Sequence, residues 1–358
     1  MMTSQKLDAV VYCEGSFNTP NGKTAHGLVR YSQRFNIICI IDSKYHGKDS
    51  GLILDGKPSN IPIVTDLDEA FQVAEKKRKK ISEFIIGLAP DGGRLPQTAM
   101  VGIKTALKMG LNVISGLHDF LTENKELVAL AKENQCKLID IRKPPARHML
   151  HFFSGKINQV DSLKIALLGT DSAVGKRTTA WILVHAFREA GFTSELVGTG
   201  QTAWLQGAKY SIVLDSLVND FVSGEIEHAV YEAWKEENPD VIILEGQGSL
   251  LNPAYPGGFE LLAAGRPDFV ILQHAPRRIY YDGFPGYRIQ NLNHQIQAIE
   301  IISGTKVRAI TLNHEGMEKD EIDKECKNII KETGVPAFDV LENGANDLVD
   351  MLKPELKK

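Results

Sequence analysis

Short, nearly continuous apolar runs recur along this chain, bounded by Gly, Pro, Asp and Asn, with longer half-apolar stretches between them. In the first part the runs at 8–13, 37–41, 61–64, 84–88, 112–115 and 137–141 read as strands. The stretches 68–80, 97–109 and 123–134 carry helical periodicity, while 18–27 is polar and Gly-containing and reads as a loop. Strands alternating with helices predict a parallel α/β sheet, whose ligands gather beyond the C-terminal strand ends. The segments expected there are 14–26, 42–48, 89–94 and 115–119. No Gly-x-Gly-x-x-Gly follows the first strand, so this Rossmann-like half is not assigned NAD. A scaffold or oligomer surface is as open a reading for it as a ligand site.

The pattern breaks at Arg142-Lys143-Pro144-Pro145, because consecutive prolines stop regular structure. We read a first domain over 1–145, a connecting segment over 146–160 and a second domain over 161–358. The alternation then resumes. Strands are expected at 165–168, 196–198, 241–244, 269–272, 307–312 and 337–341, with a further strand or buried edge at 211–214. Helices are expected at 177–190, 225–236, 292–302 and 318–332, with a short amphipathic one at the end.

Bulk properties refine this picture little. A length of 358 residues suits two domains, and 43% hydrophobic with 24% charged residues is ordinary for a globular protein. The net charge of −4 gives no whole-chain case for nucleic acid or an anionic membrane surface. The basic run 76–80 reads as the solvated end of a helix, where cations suit the dipole. Cys13, Cys39, Cys136 and Cys326 fit no metal spacing and read as free thiols. His148 and His151 lack a third ligand nearby, so no metal site is assigned. No apolar run resembles a signal peptide or a bilayer span, and a cytoplasmic protein is expected.

The chemistry concentrates after residue 164. The apolar run 165–168 leads into Gly169-Thr170-Asp171-Ser172-Ala173-Val174-Gly175-Lys176-Arg177-Thr178-Thr179, which opens a helix. Strand, Gly-rich loop and helix N-terminus make an anion site: backbone N–H groups and the helix end face phosphate oxygens, and the lysine adds a full charge. The loop departs from the usual P-loop twice. Five residues separate Gly169 from Gly175, and Arg177 stands where a magnesium-binding Ser or Thr normally follows the lysine. Other strand ends deliver further candidates. Glu245 precedes Gly246-Gln247-Gly248-Ser249, and the Pro- and Gly-rich stretch 251–258 reads as a substrate loop. His274, Arg277 and Arg278 follow the strand at 269–272; Thr199-Gly200-Gln201-Thr202 and Asn313 end two others. Arginines there suit carboxylates or phosphates, and Asn313 suits a contact to a bound base.

Taken together, Gly169 to Lys176 and Glu245 to Gly248 resemble the P-loop and Glu-Gly loop of dethiobiotin-synthetase-like enzymes. A closer resemblance covers nearly the whole chain. It is to a two-domain family, long catalogued as of unknown function, that includes D-glutamate N-acetyltransferases. The motifs carrying it are Lys23-Thr24-Ala25-His26-Gly27, Gly92-Gly93, 115–121, 140–145, 169–179, 198–202, 245–249 and His274-Ala275-Pro276-Arg277. The resemblance implies a Rossmann-like domain followed by a P-loop NTPase-like, dethiobiotin-synthetase-like domain. It also implies acetyl transfer from acetyl-CoA to the amine of D-glutamate or a related amino acid.

On that reading Gly169, Thr170, Asp171, Ser172, Gly175, Lys176, Arg177, Thr178, Thr179 and Asn313 hold the cosubstrate. Glu245 and His274 are the candidate bases. Gln201, Gln247, Ser249, Arg277 and Arg278 face the small-molecule substrate, and backbone N–H groups of 246–249 serve an oxyanion. Arg177 fits CoA, which carries extra phosphate charge and needs no magnesium. Two alternatives stand beside it. One is a ligase or kinase using ATP with Mg²⁺, in which Asp171 or Glu245 orders the metal; the other is a non-enzymatic nucleotide or CoA sensor. A homo-oligomer is expected.

Overall fold

The computed structural model describes residues 6–356. They form two compact units, one comprising 1–145 with 201–208 and the other 146–200 with 209–358. Residues 146–160, read as a connecting segment, thus belong to the second unit: Ile157 and Val160 enter its core. Ser154 and Ile157 donate their backbone N–H groups to Glu227.

The N-terminal unit is a six-stranded sheet of β1 (Leu7–Tyr12), β2 (Phe35–Ile41), β3 (Ile63–Val64), β4 (Glu83–Ile86), β5 (Asn112–Ser115) and β6 (Leu138–Asp140). The order is β3-β2-β1-β4-β5-β6 and every pair is parallel, the doubly wound arrangement of a Rossmann-like domain. The segment expected as a polar loop contains a helix, Lys23–Arg30. Thr24, Ala25, Gly27 and Leu28 bury one of its faces, a period that the glycines and prolines around it hide. The helix expected over 68–80 runs only Leu67–Lys76, and Arg78 takes a positive φ of 54° just beyond it. Lys77 there donates Nζ to the carbonyls of Ile38 and Asn60, so part of the basic run serves its own unit.

The C-terminal unit is a seven-stranded parallel sheet. Its strands are β7 (Leu163–Gly169), β8 (Ser194–Gly198), β9 (Tyr210–Ser211), β10 (Val241–Glu245), β11 (Phe269–His274), β12 (Val307–Leu312) and β13 (Ala337–Phe338). The order is β13-β12-β11-β7-β10-β8-β9. Such strands are buried on both faces, which is why β7, β10 and β11 are almost wholly apolar. The strand expected over 337–341 stops at Phe338, because Asp339 caps a short helix, Val340–Asn343, by accepting the N–H groups of Leu341 and Glu342. The helix expected over 225–236 begins earlier, at Asn219.

This order decides where the chemistry can sit. β7 lies between β10 and β11, β8 flanks β10, and β12 flanks β11. The ends of five adjacent strands therefore open on one edge of the sheet.

Candidate functional site

At the end of β7 the chain turns through 170–175 and enters the helix Lys176–Glu189. Gly175, the residue before the helix, has a φ of 102°, which a side chain would strain. A Cβ at Gly169 would lie 2.9 Å from the lysine's Cδ and Nζ, so only glycine leaves Lys176 its path across the loop. Lys176 is buried, and its Nζ donates to the carbonyls of Asp171 at 2.7 Å and Gly248 at 2.8 Å. One ammonium thus ties the Gly-rich loop to the loop after β10. Burial lowers its pKa to about 8, against the opposing pull of Asp171 and Glu245.

Glu245 ends β10 and is buried as well. Its Oε2 accepts the backbone N–H of Thr199 at 3.0 Å, and its own carbonyl accepts the Thr199 hydroxyl at 2.8 Å. Burial raises the carboxyl above its ordinary range; the nearby Arg177 charge, the Thr199 N–H and Lys176 pull the other way. A carboxylate moved upward in this manner is a better proton acceptor near neutral pH. In the loop that follows, Gln247 Nε2 donates to the Thr199 carbonyl at 2.5 Å. Ser249 is buried with its Oγ lacking a hydrogen-bond partner.

Asp171 does something different from what its position suggests. Its carboxylate is fully buried, and Oδ1 accepts from Ser172 N at 2.7 Å and Asn252 Nδ2 at 2.8 Å. Oδ2 accepts from Asp282 N at 2.8 Å and Arg278 Nη1 at 3.1 Å. Four donors occupy the four lone-pair positions of the carboxylate. Asp171 is instead the tie among the Gly-rich loop, the 251–258 loop and the 278–289 loop. Among the described residues no three His, Cys, Asp or Glu side chains gather as a metal site.

The remaining candidates divide. His274 ends β11, and its Nδ1 meets the Thr170 hydroxyl at 3.0 Å. Burial lowers its pKa to about 4, so the ring is neutral at pH 7 and a weak base. Asn313 receives the Glu315 N–H at 3.1 Å, and its Nδ2 lies 3.9 Å from where a Gly175 Cβ would stand. Thr179 donates its hydroxyl to Gln273. Thr178 is half-buried on the first helical turn beside Arg177. Arg278 is engaged by Asp171, the Ser172 carbonyl and Glu315. Arg277 is exposed and pairs with Glu321 at 2.6 Å, on the helix Lys319–Thr333 rather than at the loop. Gln201 opens the helix Gln201–Gln206 of the N-terminal unit, where its Oε1 accepts from Arg142 Nη2 at 3.0 Å.

Sequence reasoning overlooked Asn252 and Gln273 as parts of this cluster. Asn252 lies in a stretch whose Pro and Gly content speaks only of irregular backbone, yet its Oδ1 accepts the N–H groups of Ala254 and Tyr255 while Nδ2 reaches Asp171. Gln273 carried a usable signal, a polar residue closing an apolar strand.

Known proteins share this architecture. A P-loop domain of unknown function, DUF1611_C, matches residues 151–349, and its Rossmann-like partner domain DUF1611_N matches 43–144. The chain belongs to the DUF1611 family. The crystal structure of a DUF1611 family protein from Anabaena variabilis ATCC 29413 superposes with a TM-score of 0.89 at 29% identity, covering 98% of this chain and 100% of that one. A protein of Pseudoalteromonas sp. named D-glutamate N-acetyltransferase is 30% identical over 77% of this chain and 83% of its own. One of the same name from Tritonibacter scottomollicae is 29% identical over 78% and 83%. These relatives support an acetyltransferase-like function for the DUF1611 chain described here. Among its described residues no helix is long and apolar enough to cross a membrane.

Proposed function

We propose that this protein transfers an acetyl group from acetyl-CoA to the amine of D-glutamate or a related amino acid, using the strand-end cluster of its C-terminal unit. The observation that carries the reading is the arrangement of buried charge. A lysine in a Gly-rich loop at a helix N-terminus lies within electrostatic reach of a buried glutamate whose pKa burial raises. The relatives' names supply the reaction class.

On this reading the loop 169–179 holds the CoA phosphates, with Lys176 released from its two carbonyls to meet them. Arg177 supplies the second cation. Glu245 takes a proton from the acceptor's ammonium, and the neutral amine attacks the thioester carbonyl. A C–N bond forms and the C–S bond breaks; the sulfur leaves as thiolate and is protonated, with net release of one proton. Gly246 N is committed to the Leu167 carbonyl and Ser249 N to that of Tyr255, so the oxyanion falls to the N–H groups of Gln247 and Gly248. His274, held by Thr170, serves as a neutral polar wall rather than as the base.

An ATP and Mg²⁺ mechanism fits less well, since Asp171 is saturated and Arg177 replaces the magnesium-binding hydroxyl. The deciding experiment titrates the protein with acetyl-CoA and with ATP–Mg²⁺, then follows thiol release over a panel of D- and L-amino acids. Thiol release dependent on an amino acid, D-glutamate first, is the expected result. ATP turnover without thiol release would sink the proposal, and binding without turnover would leave a sensor in its place.

A further inference from the structure

Gln273 stands on β11 in register with Gly169 on one side and Thr311 on the other. Its side chain is 0% exposed. Oε1 accepts the hydroxyl of Thr179, on the helix that follows the Gly-rich loop, and the hydroxyl of Thr311 on β12, both at 2.6 Å. Two donors on one oxygen fix the amide plane and hold Nε2 on the opposite side. Nε2 has no hydrogen-bond partner. A Cβ built on Gly175 would lie 3.8 Å from it, so this donor stands beside the last peptide units of the Gly-rich loop.

A buried donor without an acceptor is costly, and folded proteins seldom keep one without a use. We propose that Gln273 is a positioning residue for the anion-bound state of the Gly-rich loop, its Nε2 donating to a loop carbonyl once phosphate is in place. The physical reason lies in the peptide unit. In a planar trans peptide the N–H and C=O point in opposite directions, so units that turn their N–H toward an anion present their C=O to the rear. Nε2 is held beside Gly175, within reach of a carbonyl turned away from the anion. Lys176 leaves the Asp171 and Gly248 carbonyls in the same event, so the loop has reason to shift. Being fully buried beside the loop, Nε2 acts through it and does not touch the ligand. The inference rests on reading the loop as a phosphate cradle and goes beyond it by naming what sets the cradle's shape.

The test compares wild type with Gln273→Glu, Gln273→Met and Thr311→Val, with CoA and inorganic pyrophosphate as titrants in calorimetry. Gln273→Glu keeps the acceptor for both hydroxyls, removes the amide donor and, when ionised, adds a negative charge. It should raise both dissociation constants about tenfold and raise the KM for acetyl-CoA, while kcat stays within about twofold. Because a protonated carboxyl regains an O–H donor, its deficit relative to wild type should shrink as pH falls. Gln273→Met, which removes the donor without adding charge, should also weaken binding of both ligands, and at every pH. Thr311→Val, which loosens the same tie from β12 but leaves the donor, should cost only about twofold. Wild-type affinities in Gln273→Glu or in Gln273→Met at all pH values, or a loss in Thr311→Val as large as in either, would overturn the assignment. If wild type binds neither CoA nor pyrophosphate, the cradle reading falls and this inference with it; if wild type binds both and Gln273→Glu binds equally, the inference falls alone.

Discussion

The two units use one architecture to different ends. Both are parallel sheets with loops at the C-terminal strand ends, and both bury polar side chains there. In the N-terminal unit those side chains serve the backbone. Asp42, fully buried after β2, accepts the N–H groups of Phe17 and Lys44, and Arg142 holds the Gly116 carbonyl and Gln201. In the C-terminal unit Glu245 and His274 end strands on either side of the one that leads to Lys176, and burial moves the pKa of all three toward their neutral forms. Burying charge is a poor way to stabilise a fold, because desolvation competes with pairing. Shifted groups gathered at one edge therefore mark that edge as the chemical one.

The comparison breaks most visibly at Lys176. Lys176→Ala should lower the affinity for CoA at least about a hundredfold and abolish measurable thiol release, since the loop loses the buried charge that crosses it toward the phosphates. Calorimetry checks the first and a thiol-reactive dye the second. The same group predicts a pH effect with opposite signs on binding and stability. Folded Lys176 releases its proton at about 8 and the unfolded chain near the ordinary 10.5. Between those values the unfolded state binds more protons, so the ligand-free protein gains stability as pH rises while its hold on CoA weakens. Melting and titration series over that window should move in opposite directions.

Glu245→Gln should come next. It keeps an acceptor for Thr199 and removes the base, so kcat should fall about 10²- to 10⁴-fold with CoA affinity close to wild type. In wild type the acid limb of kcat against pH should lie above the ordinary carboxylate range, because the base must be ionised and burial raises its pKa. The variant should lack that limb. A kcat within a few-fold of wild type would move the base elsewhere in the cluster.

Asp171→Asn tests structure more than chemistry. An amide offers one oxygen where the carboxylate offers two, so the Arg278 and Asp282 donors facing Oδ2 meet an NH₂ group. Breaking such a buried pair costs about 3–5 kcal/mol, read as a lower melting temperature, and CoA binding should fall about tenfold as the three loops separate. Addition of Mg²⁺ should change neither quantity.

How much of this was legible beforehand follows from what kind of signal each feature leaves. Strands buried on both faces announce themselves, so both sheets and the Gly-rich loop could be read from apolar runs and glycine spacing. The short helices Lys23–Arg30 and Gln201–Gln206 could not, because their apolar faces span barely two turns and lie among turn-forming residues. Gln201–Gln206 also groups with the N-terminal unit, which a linear reading cannot foresee. At the site, residue types and strand ends were readable, whereas directions were not. Arg277 and Arg278 are adjacent in sequence, yet one turns to Glu321 and the other to Asp171, a choice made by neighbours distant in the chain. Asp171 was readable as acidic and loop-borne, but its four partners, three of them distant in the chain, were not.

The smallest effect on activity should come from the N-terminal unit, and there the comparison is most exposed. Asp42→Asn removes one carboxylate oxygen from a fully buried position and leaves the Phe17 N–H without its acceptor at 2.9 Å. Losing one partner of a buried hydrogen bond costs about 1–3 kcal/mol, so the melting temperature should drop. At a temperature where the variant stays folded, CoA affinity, kcat and KM should all remain within about twofold of wild type, as expected when a change is confined to backbone support. A selective rise in the acceptor's KM would be a different matter. It would mean that the loops beyond β1 and β2 take part in recognising the amino acid, and the N-terminal sheet could no longer be read as backbone support alone.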